Sequence, residues 1–180
     1  KMTRLLTIQA VESGSPAETA GVGPGSLLVS LNGLTVQDAL ELRFLETAVR
    51  VDLVRRDGDG TEHRARLTKA EDRPLGLEVD PLKMRACNNT CAFCFAHQNA
   101  RGMRRALYFK DDDYRFSFLN GNFATLTNLS QADMARIVEQ RLGPLYISVH
   151  ATDRGLRNRM LGNPKAPNVL EQIAFFAAGR

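Results

Sequence analysis

The chain has 180 residues, with 43% hydrophobic, 24% charged and 7% aromatic residues and a net charge of +4. That balance excludes a disordered tail or a fibrous repeat, and no apolar run approaches the ~20 residues needed to span a bilayer. Residues 1–70 are charge-balanced and the basic excess lies in 71–180, too small an excess to drive nucleic-acid binding by counterion release alone.

The start, Lys1 to Leu6, has no apolar core followed by a cleavage site, so no secretory signal is expected. Lys1 ahead of Met2 points to an artificially added residue or an excised piece. Residues 6–11 alternate as a strand. Ser15 is set to cap a short helix with Pro16 at its first position. Residues 27–31 read as a buried strand closed by the tight-turn pair Asn32-Gly33. Asp38 is expected to cap a helix over 39–48 whose apolar stripe is Leu40, Phe44 and Leu45. Residues 49–55 and 63–68 predict a hairpin around Asp57-Gly58-Asp59-Gly60. Residues 1–70 thus form a first domain, 71–82 a connector holding a short strand over 75–79, and 83–180 a second domain.

The run Gly14-Ser15-Pro16-Ala17-Glu18, with Ala20-Gly21, Gly25, Leu31-Asn32-Gly33 and Val36, resembles the middle of bacterial PDZ-like domains. No carboxylate-binding loop precedes it, but Pro74-Leu75-Gly76-Leu77 is similar to one. The resemblance implies a circularly permuted arrangement with amides near Gly76 offered to a peptide terminus. The alternative is an interdomain packing module without a ligand.

In the second domain, residues 114–119 alternate as a strand. Ser130 is expected to cap a helix over 132–142 with Met134, Ile137, Val138 and Leu142 on one face. Residues 145–149 read as a buried strand, and 156–161 and 168–178 as helices. Strand and helix alternating at this spacing predict βα units on a parallel sheet, an α/β half beside the β-rich α+β half.

The three cysteines, Cys87, Cys91 and Cys94, fall within eight residues. So tight an odd group cannot be a disulfide framework; in a reducing compartment it means a metal or cluster, which places the protein in a cytoplasm. Three thiolates on one loop can hold three irons of a [4Fe–4S] cube, leaving the fourth iron open to a small molecule.

This C-x3-C-x2-C loop is the pattern of the radical S-adenosylmethionine (SAM) superfamily. The segment 87–95, with Gln98, Gly102-Met103-Arg104, Leu107-Tyr108, residues 110–115, Gly121-Asn122-Phe123, residues 148–153 and 161–164, resembles a bacterial family that joins a PDZ-type unit to a radical SAM core, the DUF512 family. The resemblance implies a partial radical SAM (β/α) barrel and a [4Fe–4S] cluster on Cys87, Cys91 and Cys94. It also implies SAM on the open iron, cleaved to a 5′-deoxyadenosyl radical that abstracts hydrogen from substrate. An oxidoreductase or transferase of this kind needs an electron donor of flavodoxin or ferredoxin type.

Two features depart from the superfamily. Its Gly-Gly-Glu segment, which binds the SAM amino group, is absent; the nearest counterpart is Asn120-Gly121-Asn122, making Gly121 and Asn122 candidate cofactor contacts. Only 86 residues follow Cys94, about three βα units, so the chain is expected to be the N-terminal portion of a longer protein.

Ser148 and His150 follow a strand, where ligands of parallel sheets gather, and are candidates to face SAM or substrate; a structural hydrogen bond is the alternative. Asn88 and Asn89 are expected to shape the cysteine loop. Asp111-Asp112-Asp113 reads as a solvated loop pairing with Arg115 rather than a metal or acid–base group, and Arg154, Arg157, Arg159 and Lys165 as a solvated helix face rather than an anion site. His97 with the three cysteines offers a tetrahedral zinc set as a rival. That rival makes the protein a peptide-binding scaffold, and a SAM-indifferent electron-transfer cluster is a third reading. The segment 148–151 resembles one in radical SAM RNA methylases, whose extra cysteines are missing here, so nucleic acid is a weak candidate partner.

Overall fold

Apolar residues facing one side at every second position of residues 6–79 build the first unit. The computed structural model describes residues 5–71 and 73–179; the start Lys1–Arg4, Asp72 of the connector and the last residue, Arg180, lie outside them. The described chain divides into two compact units, Lys1–Lys83 and Met84–Arg180, and no helix among the described residues is long and apolar enough to cross a membrane.

In the first unit, β1 (Leu6–Val11), β2 (Leu27–Leu31), β3 (Arg50–Arg56), β4 (Glu62–Thr68) and β5 (Leu77–Val79) form one sheet in the order β4-β3-β2-β1-β5. The pairs are antiparallel, and the β3–β4 hairpin runs in register from Arg50–Thr68 to Arg56–Glu62. Ile8, Leu28, Leu31, Val51 and Leu53 are within 1% of full burial and centre a core with Val36, Leu42 and Leu75. At 25 cal/mol per Å² of apolar surface removed from water, each such side chain stabilises by roughly 2 kcal/mol.

Two short helices cover the sheet. Ser15 caps α1 (Pro16–Thr19) by accepting the Glu18 amide at 3.1 Å, and Asp38 caps α2 (Ala39–Leu45) through the Glu41 amide at 3.0 Å. Helix α2 stops at Leu45 rather than reaching Ala48, and it buries Leu40 and Leu42 while Phe44 is exposed. The last strand starts at Leu77 rather than Leu75. The Leu75 carbonyl takes the Ala17 amide, the Gly76 carbonyl takes the Glu12 amide, and the Leu75 amide goes to the Glu46 carboxylate at 2.8 Å. With those groups engaged, 75–76 has no ladder partners to give.

The second unit holds α3 (Phe95–Gln98), a 3₁₀ turn (Arg105–Tyr108), α4 (Tyr114–Asn120), β6 (Phe123–Ala124), α5 (Gln131–Glu139), β7 (Tyr146–Ile147), α6 (Arg154–Leu161) and α7 (Val169–Ala178). Strands β6 and β7 pair in parallel, Phe123 with Tyr146 and Ala124 with Ile147, so β6-α5-β7 is a βαβ unit, as the alternation predicts. Ser130 caps α5 in a reciprocal capping box with Asp133, and Asn168 caps α7.

Two expectations are corrected here. Residues 114–119 are helical, because local signals at both ends outweigh the period-two pattern. Asp113 accepts the Arg115 amide as N-cap, and Gly121, at φ +75°, closes the helix in the left-handed conformation glycine takes most readily. The strand expected over 145–149 shrinks to Tyr146–Ile147 and is half-exposed rather than buried.

Candidate metal centre

Local main-chain bonds fix the cysteine loop at three points. The Cys87 amide donates to the Lys110 carbonyl at 2.7 Å, and Ala86 forms an antiparallel bridge with Asp111. The Thr90 amide donates to the Leu161 carbonyl and its hydroxyl to the Gly162 carbonyl, both at 2.9 Å, tying the loop to the end of α6. The Cys94 amide returns to the Cys91 carbonyl at 3.2 Å, and Cys94 opens α3.

All three cysteines are free and partly buried. Burial pushes the Cys87 thiol up, and burial and the neighbouring Cys94 do the same for Cys91. Loading a metal therefore means displacing protons from thiols. Among the described residues no three His, Cys, Asp or Glu side chains converge to hold a single ion. His97, the fourth member of the tetrahedral zinc set, is exposed. A four-iron cube asks for something different, since each thiolate takes its own iron and the sulfurs need not meet at one point. The donor set of three soft sulfurs on one short loop fits that demand.

Asn89 ties this loop to β6. It is 1% exposed, and both its main-chain and side-chain N–H groups point at the Cys87 sulfur, at 3.4 and 3.3 Å. The same side-chain nitrogen reaches the Thr125 and Thr127 hydroxyls at 3.1 and 2.9 Å, while its oxygen accepts from Asn163 at 2.8 Å. Lys110 donates to the Asn89 carbonyl at 2.7 Å. The loop-shaping role expected of Asn89 is what these contacts describe.

The acidic run is not a solvated loop: Asp112 and Asp113 are each 1% exposed. Asp112 accepts from the Thr125 amide at 2.6 Å and the Thr125 hydroxyl at 2.7 Å. Asp113 pairs with Arg115 at 2.6 Å; burial alone raises its carboxyl, but the bonds from Arg115 outweigh that and hold it below the usual range. Asp111 accepts from Asn122 at 2.6 Å. The burial of Asp112 and Asp113 was missed because nothing in a run of three acids marks which of them turn inward.

At the carboxyl ends of the strands the backbone departs from common conformations. Leu126, two residues beyond β6, is 1% exposed with φ +61°, and His150, three residues beyond β7, has φ +64°. For a leucine this is a sparsely populated state that clusters at functional sites. The His150 ring lies 5.0 Å from the Phe93 ring, between Cys91 and Cys94 in sequence. Burial and the charge of Arg157 lower the His150 pKa, favouring the neutral ring. Ser148 continues the ladder to the Ala124 carbonyl at 2.9 Å.

Ser148 and His150 are therefore brought to the strand end that carries the cysteine loop. Gly121 and Asn122 are not: they precede β6, Gly121 as the cap of α4 with the Tyr146 ring beside it and Asn122 bonded to Asp111. The residues that do follow β6 are Thr125-Leu126-Thr127-Asn128. Arg157 is also corrected. It is 1% exposed and lies inside the unit, not on a solvated helix face.

The sequence model of the Radical SAM-like domain family matches residues 69–180. No curated protein matches the chain.

Proposed function

The chain belongs to the Radical SAM-like domain family, and on that premise we propose that its second unit binds a [4Fe–4S] cluster through Cys87, Cys91 and Cys94 and SAM at the open iron. When bound, the pair supplies a one-electron reduction of SAM and a 5′-deoxyadenosyl group able to take a hydrogen atom from a substrate. The observation that carries this reading is Asn89, which turns two N–H groups to the Cys87 sulfur from a buried position on the loop. Donors aimed at sulfur are how proteins tune such clusters.

Around that site the chain's own residues have separable tasks in this proposal. Phe93 and His150 meet beside the loop as a tilted pair with ring centroids 5.0 Å apart. His150 is a neutral ring there, able to accept or donate one hydrogen bond to SAM or substrate. Ser148 lies beside it at the same strand end. We assign the contacts to the SAM amino group to Thr125–Asn128 rather than to Gly121 and Asn122, because only the former follow β6. An electron-carrying protein of flavodoxin or ferredoxin type supplies the electron.

We read the first unit as PDZ-like and the whole as a DUF512-type enzyme. The capped helix at Ser15–Pro16, the tight turn at Asn32-Gly33 and the sheet order support that reading. One observation favours a packing module over a peptide-terminus site. The Leu75 amide, in the loop that would receive a terminal carboxylate, is already bonded to the Glu46 carboxylate, and both residues are buried.

The test is anaerobic reconstitution with iron and sulfide, reduction, and EPR with and without SAM. A reduced-cluster signal that SAM shifts, with 5′-deoxyadenosine formed, supports the proposal. A cluster indifferent to SAM indicates electron transfer instead, and zinc without a cluster overturns the reading.

A further inference from the structure

Arg157, on α6, is a buried cation, 1% exposed, with no carboxylate in hydrogen-bond contact among the described residues. Burying an uncompensated charge costs several kcal/mol, so its surroundings must answer it. They do so with main-chain carbonyls: Val149 at 2.9 Å from Nε, Thr125 at 2.7 Å and Ser148 at 3.4 Å from Nη2, and Pro167 at 3.3 Å from Nη1. Three of the four belong to the residues that leave β6 and β7.

Thr125 is held from its other side by the buried Asp112, which accepts its amide and hydroxyl. One residue is thus gripped between a buried anion and a buried cation. The charge of Arg157 reaches beyond these bonds. It lowers the His150 pKa, and Thr125, whose carbonyl Arg157 binds, places its hydroxyl 3.1 Å from the Asn89 side-chain nitrogen that reaches the Cys87 sulfur at 3.3 Å.

We propose that Arg157 is a positioning residue that fixes the carbonyls of Thr125, Ser148 and Val149 beside the cysteine loop and sets a permanent positive charge behind the Thr125–Asn89–Cys87 contacts, raising the reduction potential of whatever the loop's cysteines hold. The inference rests on the cluster reading above. A positive charge stabilises the more negative reduced state of a cluster, whereas Asp112 acts in the opposite sense. Arg157 sits sixty-three residues from Cys94 in sequence and on a different element, so a brace of the strands alone has no reason to tune a potential.

The experiment is an EPR-monitored redox titration of the reconstituted full chain as wild type, Arg157→Lys, Arg157→Met and Asp112→Asn. At the potential that half-reduces the wild type, Arg157→Met is expected to show a tenfold lower ratio of reduced to oxidised cluster, about 59 mV for a one-electron couple. Arg157→Lys, which keeps the charge but not the fork of donors, is expected to titrate with the wild type. Asp112→Asn is expected to shift the other way. A loaded Arg157→Met that titrates with the wild type overturns the inference, even if its melting temperature falls, since that is the mark of a brace alone. Where Arg157→Met does not fold, Asp112→Asn decides, and no shift or a negative one overturns it. A wild type that loads no cluster sinks the reading beneath and this inference with it; a loaded wild type with unresponsive variants sinks the inference alone.

Discussion

The Asn89 side-chain nitrogen lies 3.3 Å from the Cys87 sulfur and 2.9 Å from the Thr127 hydroxyl, so one buried amide joins the cysteine loop to the segment that follows β6. Replacing Asn89 by alanine removes one partner from each of the Thr125 and Thr127 hydroxyls and strands the Asn163 amide. The expected cost is about 2 kcal/mol of stability, read by chemical denaturation of the chain. The cluster is also expected to become harder to reduce, because the N–H groups that favour its reduced state are fewer. A variant with unchanged potential would show that the contact is purely structural.

Each of Cys87→Ala, Cys91→Ala and Cys94→Ala is expected to lose iron and acid-labile sulfide on reconstitution, while His97→Ala keeps both. Metal analysis checks this. Loss of zinc binding in His97→Ala, with no iron in the wild type, would instead establish the tetrahedral zinc site.

Gly121 separates two roles that the sequence left side by side. As the left-handed cap of α4, Gly121→Ala is expected to cost about 1 kcal/mol with iron content and SAM response intact. A cofactor cradle would lose SAM response at unchanged stability. Thermal melts together with SAM-dependent EPR distinguish the outcomes.

The Arg85–Asp133 pair contributes to the acid sensitivity of the second unit. Burial raises the Asp133 carboxyl, yet bonds from Arg85 at 2.8 and 2.9 Å and from Ser130 bring it to about 2, below its ordinary 3.8. A carboxyl lowered by folding contributes stability that is complete above pH 3.8 and is lost as pH falls toward 2. The full linkage at 1.36 kcal/mol per pH unit is reduced by solvent around Arg85 to about 1 kcal/mol. Denaturation of wild type and Asp133→Asn between pH 5 and pH 2 is expected to show this loss only in the wild type.

In the first unit, Gly76 has φ +78°, and an added Cβ would collide with the Ser15 side chain that caps α1. Gly76→Ala is expected to destabilise the chain by about 2 kcal/mol or more, measured as a fall in the denaturation midpoint. Retained stability would mean that the loop moves, and that Glu46 can leave the Leu75 amide for a peptide carboxylate.

Much of the fold is written in short-range signals. Ser15-Pro16, Asp38, Ser130 and Asn168 mark helix starts because their side chains satisfy amides that helices leave orphaned, and the Asn32-Gly33 turn sets the end of β2. The failures come where two local signals disagree. In Tyr114–Leu119 the alternation of aromatic and polar residues argues for a strand, while Asp113 and Gly121 argue for a helix with both ends closed, and the caps win. The strand expected over 114–119 is therefore a helix, and Gly121 is its cap, ahead of β6. At the candidate site the cysteines were legible as a pattern. Arg157 and Asp112 were not, since their burial depends on carbonyls and hydroxyls eight or more residues away on other segments, which no local pattern encodes.

The bonds from Thr90 to Leu161 and Gly162 have a consequence for how the protein is made. The cysteines emerge from the ribosome some seventy residues before the helix end that braces their loop. At roughly 5–20 residues per second, the thiols spend several seconds outside without that brace. Iron and sulfide delivered in that interval meet an unanchored loop, and cluster insertion is therefore expected to follow the folding of α6 rather than to precede it.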